Sequence, residues 1–152
     1  MMVRGIKDAL SRLAPVVLLV LCCSCGPGRK LYPVHGHVFV DGQPAEGARV
    51  MLHPVEANLG GPDIIRPSAM VEADGSFRLG SYKPRDGAPA GEYLVTVDWL
   101  PPGFTREQAR EYEAKQVNPD KLGSRYSKAK TSGLHATVKE GPNELETFQL
   151  KK

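Results

Sequence analysis

The chain has 152 residues, with 20 Lys and Arg against 17 Asp and Glu, for a net charge of +3. That length suits one domain and is too short for two of ordinary size. Three basic residues and one acidic residue fall before position 25, so the remainder carries 17 basic and 16 acidic side chains, a balance that does not imply a nucleic-acid partner.

The N-terminus reads as an export signal. Arg4, Lys7 and Arg12 precede an apolar run from Leu13 to Leu21, interrupted by Pro15. A transmembrane helix needs about 20 apolar residues, so a cleaved signal fits better. Next comes Leu21-Cys22-Cys23-Ser24-Cys25-Gly26, which resembles the lipobox of bacterial lipoproteins. That resemblance implies removal of residues 1–24 and acylation of Cys25, with Cys23 as runner-up. Residues 25–31 are the lipidated cysteine and tether, and 32–152 the domain. All three cysteines lie at 22, 23 and 25, so the domain has none for a disulfide. Gly26 is not the Asp that retains some lipoproteins at the inner membrane. The expected location is a cell or outer membrane, with the lipid-anchored domain facing the periplasm or the exterior.

Strand signals follow in order. From Tyr32 to Val40, Val34, Gly36, Val38 and Val40 alternate with His35, His37 and Phe39. Asp41-Gly42 turns the chain into Glu46–Pro54, where Ala48, Val50 and Leu52 share a face. Residues 55–68 form a loop held down by Ile64 and Ile65. Ala69–Ala73 and Ser76–Ser81 flank Asp74-Gly75, a hairpin signal. Tyr93, Val95 and Val97 mark Glu92–Asp98. Residues 99–133 break the rhythm: Thr105-Arg106-Glu107-Gln108 is a capping box, which predicts a helix from Arg106 to Lys115 with Glu111 and Lys115 paired. Leu134, Ala136 and Val138 resume the alternation, and Glu144–Leu150 closes the domain with Phe148 and Leu150 inward. About seven strands with one short helical insertion predict an all-β antiparallel sandwich, or otherwise a small open barrel.

The run Val34-His35-Gly36-His37-Val38-Phe39-Val40-Asp41-Gly42 through Gly47-Ala48-Arg49-Val50 resembles the opening of carboxypeptidase regulatory-like (transthyretin/prealbumin-like) domains. Asp74-Gly75-Ser76-Phe77-Arg78-Leu79 and Gly91-Glu92-Tyr93-Leu94-Val95-Thr96-Val97 resemble their later strands. Asp86–Tyr93, Arg125-Tyr126, Thr131–Leu134 and Asn143–Phe148 are similar to segments of short single-domain bacterial lipoproteins built on this unit. The resemblance implies a seven-stranded Greek-key sandwich and no catalytic residues. Purine-breakdown hydrolases of the same fold end in Y-R-G-S, whereas this sequence ends Phe148-Gln149-Leu150-Lys151-Lys152, so that activity is not implied.

His35 and His37 share a strand face and could reach one metal ion, but no third ligand is fixed by spacing; outward histidines on a half-buried sheet are the simpler reading. Trp99 and Phe104 form an aromatic cluster before the helix which, with Tyr126, could contact a glycan or a protein. The simpler reading is that they pack the helix down. No motif calls for a cofactor or a catalytic centre. The expectation is a non-enzymatic, membrane-anchored module with a structural or interaction role in the envelope. A carbohydrate or cell-wall polymer binder is the first alternative and an envelope metal-binding protein the second. The sequence does not specify an oligomeric state.

Overall fold

The computed structural model describes residues 29–55 and 64–152. The signal region, with Cys22, Cys23 and Cys25, lies outside the described residues, as does much of the 55–68 loop. Eleven short strands and one helix make up the described chain.

The first sheet is built on β2 (Val34–Val40), reached through β1 (Leu31–Tyr32), which pairs with β7 (Ala88–Pro89). Leu31, assigned to the tether from sequence, is thus already hydrogen-bonded structure. On one edge β2 pairs antiparallel with β3 (Gln43–Pro44) and β6 (Ser76–Arg78); it also pairs, in parallel, with β10 (Asn143–Glu144) and β11 (Phe148–Leu150). The second sheet is antiparallel throughout, in the order β5 (Ser68–Met70), β4 (Arg49–Pro54), β8 (Gly91–Asp98), β9 (Leu134–Val138).

One expectation is corrected here. The strands are not antiparallel throughout, because the C-terminal segment runs parallel to β2. Of the eleven strands among the described residues, seven span three residues or more and four span two. Alternation of apolar residues reports which face is buried and carries no information on strand direction. The all-β class with one short helix holds.

The C-terminal segment also changes register. Asn143 pairs with Val34, whereas Phe148 pairs with Val38, so one extra residue is accommodated between β10 and β11. A one-residue slip exchanges the faces of a strand. Asn143 and Leu145 therefore point inward before the slip, and Phe148 and Leu150 after it.

The predicted hairpin around Asp74-Gly75 forms: Glu72 N–H donates to Ser76 O, and Asp74 Oδ1 accepts from Ser76 N–H at 2.9 Å. Its two arms enter different sheets. Ser68 and Gly80 exchange two backbone hydrogen bonds at the open end, joining the sheets there.

Both sheets bury their inner faces in one apolar cluster. Val38, Val50, Leu52, Phe77, Val95 and Val97 are fully enclosed. Burying such a side chain contributes about 1.5–3 kcal/mol relative to leaving it in water. Phe77 stacks on Phe148 with ring centroids 6.3 Å apart. Its ring also lies over Gly36, where an added Cβ would come within 2.7 Å of the ring edge, so β2 needs a residue without a side chain there. Tyr93 Oη donates to Pro89 O at 2.7 Å, tying β8 back to β7, and burial pushes its hydroxyl pKa up.

Candidate functional site

The insertion between β8 and β9 departs from strand pattern because its polar residues cap the backbone locally. Thr105 Oγ1 accepts from Gln108 N–H and Gln108 Oε1 accepts from Thr105 N–H, closing the predicted box at the start of α1 (Arg106–Ala114). The Glu111–Lys115 pair is in place, and this bond holds the Glu111 carboxyl below, and the Lys115 ammonium above, their ordinary pKa values. No residue of α1 is buried. Its contact with the aromatic cluster runs through Tyr112, whose ring meets Phe104 edge-on at 5.8 Å.

Asp120 fastens the rest. Its buried carboxylate accepts from the backbone N–H groups of Trp99 and Leu122, each at 3.0 Å, and of Ser124 at 2.9 Å. Trp99 O accepts from Lys121 N–H, and Tyr126 O from Val97 N–H, so the segment is bonded to the end of β8. Ser132 Oγ donates to Val95 O at 2.6 Å where the insertion returns to β9. Asp120 was not singled out from sequence; its signal is the Asn118-Pro119-Asp120 run, whose Asn and Asp side chains bond nearby backbone donors.

Trp99 is half-buried against the core and donates from Nε1 to Glu46 O at 2.9 Å. Lys121 Nζ sits 4.6 Å from the ring centroid and Lys152 Nζ 5.9 Å, both within cation–π range. Trp99, Phe104, Pro101 and Pro102 line a cavity of about 480 Å³, with Arg49, Met70 and Lys121 at its margin. Arg49 pairs with Asp98 at 3.3 Å. The structure thus brings Trp99 and Phe104 together. Tyr126 stands beside them: its hydroxyl accepts from Lys151 N–H at 3.2 Å, next to the lysine that reaches Trp99. The cluster does attach the helix, through Phe104, and also leaves an aromatic-lined groove open. Met70, 58% exposed, went unnoticed in sequence; its signal is an apolar residue on the outward phase of the alternation Ala69, Val71.

His35 and His37 lie elsewhere, on the outward face of β2. His35 Nε2 is 4.0 Å from Glu144, and His37 stacks on Phe39 with centroids 6.4 Å apart. Among the described residues no three His, Cys, Asp or Glu side chains gather in a metal-ligating group. His53 shares a hydrogen bond with Thr96 Oγ1 at 3.0 Å; burial, then the nearby Arg66, lowers its pKa.

A second polar anchor fixes the loop after the hairpin. Asp86 accepts from the backbone N–H groups of Ser81, Tyr82 and Lys83 at 2.6, 3.2 and 2.8 Å. Burial pushes its carboxyl pKa up, but the donors at Ser81, Lys83 and Tyr82 outweigh it and the net position is below the ordinary value. Among the described residues every buried side-chain nitrogen or oxygen has a hydrogen-bond partner. Comparison with protein-family models, curated proteins and solved structures finds no match.

Proposed function

We propose that the protein is a non-enzymatic, lipid-anchored interaction module of a bacterial cell envelope, carried by a carboxypeptidase regulatory-like sandwich. The observation that supports this most is how the buried polar side chains are used. Of the four buried polar side chains among the described residues, Asp120, Ser132 and Asn143 direct their bonds to the chain's own backbone, which fixes loops and turns, and Thr96 bonds His53. Side chains so committed hold shape; reaction chemistry needs polar groups aimed at a substrate. The outward surface with recognition character is the groove beside Trp99. The lipobox-like run ending at Cys25 supports the anchor, since a multiply acylated cysteine adds about 0.8 kcal/mol of membrane affinity per buried CH₂.

The anchor is tested by Cys25→Ser in the full chain expressed in a bacterial host. The expected outcome is loss of membrane partitioning, with Cys23→Ser leaving it intact. Mass spectrometry that finds Cys25 unmodified in the membrane fraction overturns the assignment. A carbohydrate-binding role is the second reading, favoured by the aromatic lining of the groove; glycan-array binding lost in Trp99→Ala supports it.

A further inference from the structure

The Trp99 groove does not end at Met70. Arg49 and Met70 also line a second cavity, of about 530 Å³, which runs along the splayed hairpin to Tyr82. The two adjoin at Arg49 and Met70, which they share, and together make a trough of two neighbouring depressions reaching from Trp99 to Tyr82. The trough exists because the hairpin is bonded at its two ends, Ser68 to Gly80 and Glu72 to Ser76, while Met70 and Arg78 between them form no bridge. At one end stands Trp99; at the other Tyr82 is 64% exposed.

The trough is lined by five basic side chains against three carboxylates, Glu46, Glu72 and Asp98. Arg49 is matched by Asp98, and Arg85 by Glu72 at 2.8 Å. Arg78, Lys83 and Lys121 also line it, and none has a carboxylate within 4.0 Å among the described residues. Lys121 and Lys152 both lie over the Trp99 ring, which places cations beside an aromatic face.

We propose that this trough binds an acidic polysaccharide, with carboxylate or phosphate groups held by Arg78, Lys83 and Lys121 and sugar faces laid on Tyr82 and Trp99. This rests on the interaction-module reading and is independent of the anchor. A peptide adding to the sheet edge fits less well, because strand addition needs a row of open backbone groups and here only Met70 and Arg78, one on each arm, lie between bonded positions. An amphipathic helix needs an unbroken apolar groove, whereas cations interrupt this one.

The test uses the full chain purified in detergent, titrated calorimetrically with oligogalacturonate, neutral dextran and poly-glutamate. Trp99, the only tryptophan, supplies a fluorescence readout. The expected result is binding of oligogalacturonate that weakens with added salt, no binding of dextran, and markedly weaker binding of poly-glutamate. Arg78→Glu and Lys121→Glu should each reduce affinity by about tenfold or more. Tyr82→Ala, at an exposed site where folding is not at stake, should reduce it by about fivefold. The exposed pair Lys128→Glu with Lys130→Glu, outside the trough, should change it little. The inference is overturned if oligogalacturonate does not bind, if dextran or poly-glutamate binds as well, or if the Lys128/Lys130 variant loses as much as the trough variants. Membrane partitioning of the same variants reads the anchor separately, so failure of one reading leaves the other standing.

Discussion

The two sheets and the 99–133 insertion are held by different physics. The sheets share an enclosed apolar cluster to which Phe77, Leu52 and Val95 each contribute complete burial. The insertion buries little: α1 encloses no side chain, and Leu122 is its main apolar plug. Its shape rests on one carboxylate, Asp120, and on backbone bonds to Trp99 and Val97. Burial is spread over many contacts and fails cooperatively, whereas a polar staple can open by itself, so the insertion should open locally at lower free energy than the core.

The largest test of that contrast is Phe77→Ala. It removes an enclosed ring and its stack on Phe148, and should cost about 3–5 kcal/mol in urea denaturation followed by far-ultraviolet circular dichroism. A loss below 1 kcal/mol, on the scale of a surface change, would mean the two sheets are not one cooperative core. Asp120→Ala comes next, at about 1–3 kcal/mol, since it leaves three backbone donors without their acceptor. Trp99 emission should shift to the red and amide exchange should quicken between residues 99 and 126, while β8 and β4 stay protected. Exchange that rises equally in both sheets would remove the distinction drawn here.

A smaller effect is expected in acid. The Asp86 carboxyl has a folded pKa below its ordinary value of 3.8, so its contribution is complete above that value and is lost as pH falls through the folded pKa. Asp86→Asn should therefore lower stability at neutral pH and flatten the decline below about pH 4. Identical acid limbs in the two proteins would contradict this. Smallest of all, Thr105→Ala should remove about 1 kcal/mol from the helix alone. Global unfolding should barely change, because α1 buries nothing. A clear fall in the global midpoint would show the helix coupled to the core.

Much of the sheet core was legible because burial follows residue parity. Val34, Val38 and Val40 on β2, and Tyr93, Val95 and Val97 on β8, all face inward as the alternation predicts. The hairpin at Asp74-Gly75 and the Thr105 capping box were legible as local chemistry, where side chain and backbone donor lie within a few residues. What was hidden is non-local. The parallel course of β10 and β11, the extra residue between them and the division of the hairpin between two sheets all depend on where distant strands lie. The aromatic end of the trough was visible in Trp99 and Phe104. Arg49, Met70 and Lys121 were not, because the strand edge and the inserted turn that bring them beside Trp99 are far apart along the chain.

One consequence of the β2 arrangement is mechanical. Any pull on the chain ahead of residue 29 enters the domain through β1, whose two pairings with β7 act as a first clip. Behind the clip the force reaches β2, which is bonded to β3, β6, β10 and β11. Withdrawing that strand means parting both of its ladders and dragging Val34, Val38 and Val40 out of the apolar interior. A domain fastened in this way should yield to tension in two steps, with the clip giving at low force and the central strand holding to a much higher one.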